Sequence, residues 1–109
     1  MQVFIEGHHF QVTEAARSYV ESVIDKIERF YSPIIDCHIT LKHEKELYRA
    51  DIVTRVQGHT LKSSDEDVKL YKAVDEAVDK MSRQLRKLND KRRDYRPDPQ
   101  VESNVTTGE

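Results

Sequence analysis

From Leu70 to Leu88 the residues Leu70, Tyr71, Val74, Ala77, Val78, Met81, Leu85 and Leu88 recur at three- and four-residue spacing. That period predicts a long amphipathic helix with one apolar stripe, which must be buried against a second layer. At ~100° per residue, Lys69, Lys72, Lys80, Arg83, Lys87 and Lys91 fall within one separate arc, interrupted by Glu76. Packing the apolar stripe leaves these cations in water.

The preceding chain supplies the second layer. Met1 to Glu6 alternates Val3 and Ile5 with Gln2, Phe4 and Glu6, the period of a short strand, and Gly7 is expected to end it. Thr13 and Glu14 are suited to cap a helix and to meet its positive end. Ala16, Tyr19, Val20, Val23, Ile24, Ile27 and Phe30 then predict a helix from about Thr13 to Tyr31, stopped by Pro33. A second strand places Ile35, Cys37, Ile39 and Leu41 inward, and a loop follows at His43-Glu44-Lys45-Glu46. A third places Ala50, Ile52, Thr54 and Val56 inward, and Gln57-Gly58 turns the chain into a fourth from His59 to Ser63. Ser64, Asp65 and Asp67 are candidate caps for the long helix, which is expected to fray beyond Leu88 before Pro97 and Pro99. The order βαβββα predicts an α+β fold: a four-stranded sheet with two helices packed on one face, in a domain spanning 1–96. Residues 97–109 lack periodicity and are expected to be a disordered tail.

Charge is distributed unevenly. Residues 1–79 hold ten basic and fifteen acidic side chains, whereas 80–96 hold eight basic against two acidic, a local balance of +6 in a chain of formal charge −2. Such segregation favours a polyanionic partner, and guanidinium and ammonium groups suit phosphates without reading base identity. A helix face that served only solubility would carry acidic partners at i±4, and few follow Glu76. Outward Lys42, Arg49, Arg55 and Lys62, with Lys45 in the hairpin loop, extend the candidate surface. Tyr31, Tyr48 and Tyr95 are expected to be exposed enough to stack on bases, and Tyr19, Tyr71 and Phe30 to pack in the core.

Other chemistry finds little footing. His8-His9 and the group Cys37, His38 and His43 suggest a metal, but Cys37 and His38 alternate to opposite faces of a strand, so no metal or other cofactor is expected. Cys37 reads as a small core residue. Asp75 and Asp79 are four apart, which ion pairing or solubility explains, and neither a phosphate loop nor a nucleophile elbow occurs, so no catalytic residues and no small-molecule substrate are expected. The apolar runs are too short to span a bilayer and the amino terminus has no export signal, which makes the cytoplasm the expected location, and with no exposed apolar seam evident in the sequence a monomer is the expected state.

Several runs together resemble the ribosome hibernation-promoting factor family, also described as the ribosome-associated inhibitor or sigma-54 modulation protein family. They are Thr13-Glu14-Ala15, Lys26-Ile27-Glu28, Leu41-Lys42-His43-Glu44-Lys45, Tyr71-Lys72-Ala73-Val74-Asp75 and Asp79-Lys80-Met81-Ser82-Arg83-Gln84-Leu85-Arg86-Lys87. Where the family often has Asp-Met before the helix tyrosine, this chain has Lys69-Leu70, which adds a cation. The resemblance implies a fold similar to double-stranded RNA-binding domains and, over 109 residues, a short-form member. It also implies a non-enzymatic factor of stationary phase or stress that binds small-subunit ribosomal RNA in the decoding channel and blocks tRNA and mRNA. The implied contacts are Lys80, Arg83, Arg86, Lys87 and Lys91 on the helix, with Lys42 and Lys45 on the sheet side. One of the family's names points to the alternative of a regulator that binds a transcription (sigma) factor.

Overall fold

The computed structural model describes residues 1–94, with side chains through Arg92. In chain order it has β1 (Gln2–His8), α1 (Glu14–Ile24) running on into a 3-10 helix (Asp25–Arg29), β2 (Asp36–Glu44), β3 (Leu47–Val56), β4 (His59–Asp67) and α2 (Leu70–Asp94). The sheet order is β1-β2-β3-β4, with β1 parallel to β2 and the other pairs antiparallel. The expected α+β architecture is therefore present. The expected tail and Tyr95 lie outside the described residues.

Alternation decides which face is covered. Cys37, Ile39 and Leu41 on β2 and Ala50, Ile52, Thr54 and Val56 on β3 are buried, against Val20, Ile24 and Ile27 from the first helical segment and Val74, Ala77, Met81 and Leu85 from α2. Thr13 caps α1 as expected, its Oγ1 accepting from the Ala16 amide at 3.1 Å. Cys37 is buried with its sulfur 3.5 Å from Thr54 Oγ1, and burial pushes its thiol pKa up, away from the reactive thiolate.

Several boundaries differ from expectation, each for a local reason. Gly7 does not end β1 but pairs with Leu41; a Cβ there would lie 2.0 Å from the Phe10 carbonyl oxygen, so the glycine permits a close return of the chain. The helix over Thr13 to Tyr31 changes to 3-10 winding after Ile24, a common form of last turn, while Ile27 stays buried. Ile34, not Ile35, is turned into the core, because the alternating ladder begins only at Asp36. The loop at His43 to Glu46 contracts to a turn at Lys45 and Glu46, with Lys45 at φ 58°.

The largest difference is β4, which continues through Ser64 and Asp65 to Asp67. Its inner face is polar, which hid the strand, and α2 satisfies it: Ser63 Oγ donates to the Ala77 carbonyl at 2.8 Å and Lys80 meets Asp65 at 3.2 Å. Of the three candidate caps, Asp67 is the one that reaches the residue before α2, accepting from the Lys69 amide at 3.0 Å, whereas Asp65 accepts from the Glu66 amide within β4. At its far end α2 runs past Leu88 to Asp94 instead of fraying, because Arg92 lies 4.1 Å from the Tyr31 ring centroid and donates to the Ser32 carbonyl and to Asn89 Oδ1. Tyr31 is consequently buried, whereas Tyr71, expected in the core, is 44% exposed.

On the uncovered sheet face Asp36 is nearly buried beneath the Arg55 fork, at 2.9 and 2.5 Å. The Arg55 hydrogen bonds hold its carboxyl below the usual carboxylate range, against an opposing push from burial. A depressed folded-state pKa contributes stability that is present above the unfolded pKa and is lost as pH falls through the folded one. Urea melts should therefore show stability falling below about pH 4 in the wild type, with a shallower acid slope in Arg55→Ala. By the same measurement Leu85→Ala should lose about 2–5 kcal/mol and Thr13→Ala about 1 kcal/mol.

Candidate nucleic-acid interface

The covered face of α2 fixes where its cations point. Two of them turn toward the first helical segment and the chain that follows it: Arg86 lies over the Phe30 ring, 4.9 Å from its centroid, and Arg92 lies over Tyr31. Lys80 turns the other way, along β4. That strand is a sheet edge, with carbonyls that no further strand pairs. Lys80 Nζ donates to the Ser64 carbonyl at 3.1 Å and Gln84 Nε2 to the Lys62 carbonyl at 2.7 Å. These two side chains blunt an edge that would otherwise invite another strand. Sequence reasoning missed this role for Gln84; the signal was its i+4 spacing from Lys80 on the arc beside the apolar stripe.

Asp65 completes the Lys80 contact. Its carboxyl sits below the usual range, first because the Glu66 amide donates to it and then because of the Lys80 ammonium. Arg83, at the crest of the helix, pairs with Asp79 at 2.6 Å on the exposed surface. An exposed i,i+4 pair of this kind is worth only a few tenths of a kcal/mol and is readily exchanged for a phosphate.

Lys87 and Lys91 are different. Both are exposed, and no carboxylate among the described residues lies within ion-pair distance of either. With His59, Leu61, Gln84 and Leu88 they line a groove of about 290 Å³ between α2 and the start of β4. It adjoins a second hollow of about 370 Å³, where Lys91 and Arg92 meet Tyr31, Gln57 and His59. Cations thus flank a furrow at the carboxyl end of α2, where positive charge also complements the helix dipole.

The sheet-side cations do not join this surface. Lys42 lies on the uncovered face, 3.6 Å from Asp51, and Arg49 and Arg55 are committed there to Asp51, Glu66 and Asp36. Lys62 shares that face, being paired in register with Val53. Lys45 is exposed in the β2–β3 turn, at the end of the sheet where α2 begins, since Tyr48 pairs with Asp67 just before the helix. Of the seven candidate contacts, Lys80, Arg83, Lys87 and Lys91 share one continuous surface, Arg86 borders it, and Lys42 and Lys45 lie elsewhere.

The protein is thus a four-stranded α+β domain whose one long helix presents a row of cations. The chain belongs to the family described as Sigma 54 modulation protein / S30EA ribosomal protein, which matches residues 3–93. Among its relatives are the ribosome hibernation promoting factors of Klebsiella oxytoca, 38% identical over 91 residues, and of Escherichia coli strain K12, 35% identical over 91 residues. Each alignment covers 84% of this chain and 96% of the relative. The fold is similar to the Thermus thermophilus Protein Y N-terminal domain, with TM-score 0.75 and 27% identity over 81% of this chain and 99% of that one. It is also similar to a ribosomal subunit interface protein from Coxiella burnetii, with TM-score 0.74 and 25% identity over 82% and 98% of the two chains.

The division of α2 into structural and free cations is testable by thermal or urea unfolding. Arg86→Ala and Arg92→Ala should each lose about 0.5–1 kcal/mol through their ring contacts. Lys87→Ala and Lys91→Ala should stay within about 0.5 kcal/mol of the wild type.

Proposed function

We propose that this chain is a ribosome hibernation factor that binds small-subunit ribosomal RNA through the outer face of α2 and lies in the decoding channel, where it blocks tRNA and mRNA. The observation that carries this reading is the pair Lys87 and Lys91, exposed beside a groove and without a carboxylate partner among the described residues. The hibernation promoting factors among the chain's relatives supply the ribosome as the polyanion. Arg83 adds a guanidinium fork once it leaves Asp79, and Lys80 contributes charge from the β4 edge. Arg86 sits at the margin, and Lys42 and Lys45 act as separate contacts on the sheet side.

Inhibition in this reading is steric and non-enzymatic: the domain of residues 1–96 occupies RNA, and no bond is made or broken. A ribosomal partner places the protein in the cytoplasm, and among the described residues no helix is long and apolar enough to cross a membrane. Because backbone phosphates dominate such contacts, affinity should fall steeply with salt, by orders of magnitude between low and moderate ionic strength if about six phosphates are engaged.

Sedimentation of the protein with purified small subunits over a salt series tests this. The variant Arg83→Glu, Lys87→Glu, Lys91→Glu should lose comigration at salt concentrations where the wild type binds, and its log–log salt slope should shrink by about three. Unaltered comigration of a folded triple variant would remove this face of α2 from the proposal.

A further inference from the structure

A further hollow, of about 570 Å³, lies at the opposite end of α2 and is lined by Tyr48, Lys69, Leu70, Tyr71, Lys72 and Asp75. Its volume is within the roughly 300–1,000 Å³ of small-ligand sites. Two aromatic rings border it, and both are held in place from behind. Tyr71 stacks on Tyr19 with centroids 4.4 Å apart, and Tyr48 stacks on His43 at 4.0 Å with the Phe10 ring edge-on at 5.9 Å. Tyr19 is itself anchored, its hydroxyl donating to the Asp75 carboxylate. Rings fixed in this way lose little freedom when a ligand stacks on them.

The charges at this hollow are arranged for a nucleotide and not for a free phosphate. Lys69 and Lys72 are exposed, and no carboxylate among the described residues lies within ion-pair distance of either, so they are available to backbone phosphates. Asp75, which also lines the hollow, repels a phosphate there but accepts hydrogen bonds from a base amino group. Tyr71 is 44% exposed, so one side of its ring stacks on Tyr19 while part of it stays open to a ligand.

We propose that the hollow between Tyr48 and Tyr71 seats one unstacked base of single-stranded RNA, with Lys69 and Lys72 on the flanking phosphates. This rests on the reading of the chain as an RNA-binding factor and adds a contact at Tyr71, roughly 24 Å along α2 from Lys87 at 1.5 Å per residue. Sequence-tolerant stacking on aromatic side chains beside a cationic track is the general chemistry of single-strand recognition.

The test is an NMR titration of the full chain with hexa-adenylate at low salt, following tyrosine ring protons and backbone amides. Upfield movement of the Tyr48 and Tyr71 ring signals, with shifts at the Lys69 and Lys72 amides, is the expected result. Tyr71→Leu should weaken binding roughly 5- to 150-fold, the equivalent of about 1–3 kcal/mol for one stacked base. Lys69→Ala with Lys72→Ala, which leaves the core untouched, should weaken it as well. Shifts confined to the Lys87 and Lys91 region, or Tyr71→Leu binding as tightly as the wild type, would overturn the assignment. Tyrosine shifts in a chain that fails to sediment with small subunits would support the base site and remove the ribosomal proposal; sedimentation without tyrosine shifts would do the reverse.

Discussion

Everything else in the domain depends on the seating of α2 on β3 and β4. Ala73, Val74, Ala77, Met81 and Leu85 are fully buried along one side of a 25-residue helix. The alanines let the helix approach the sheet closely, and the larger residues fill the space between. Once that stripe is seated, the azimuth of every other side chain on the helix is fixed. Which cations reach solvent, which cover the β4 edge and which rest on aromatic rings are consequences of one packing contact.

The same contact divides labour among residues that look alike. Arg92 follows the line of the buried stripe past the end of the hydrophobic core and, itself exposed, covers the Tyr31 ring. Lys80 and Gln84 close the sheet edge through backbone carbonyls. Lys87 and Lys91, one and two turns further on, have no such duty among the described residues. Cations whose charge is not already compensated keep the largest electrostatic attraction for a phosphate backbone, because no internal pair has to be broken first.

Much of this was legible in the chain because two periods dominate it. The alternation of Cys37, Ile39 and Leu41 and of Ala50, Ile52, Thr54 and Val56 marks covered strands, and the three- and four-residue spacing from Val74 to Leu85 marks the helix. What escaped was tertiary. The length of β4 was hidden because Ser63 and Asp65 face inward and are satisfied by α2. Tyr31 and Tyr71 exchanged their expected environments because burial depended on Arg92 in one case and on Tyr19 in the other. The cationic arc of the helix was readable from its spacing, but the pairing of Lys42 with Asp51 and the turning of Arg86 onto Phe30 depend on neighbours remote in sequence.

In the proposed function the carboxyl half of α2, on the β4 side, meets ribosomal RNA. Residue-resolved lysine acetylation of the protein, free and bound to small subunits, tests it most directly. Lys87 and Lys91 should become strongly protected in the complex, while Lys26, on the 3-10 segment, keeps the reactivity it has in the free protein. Undiminished reactivity of Lys87 and Lys91 in a chain that is demonstrably bound would contradict it.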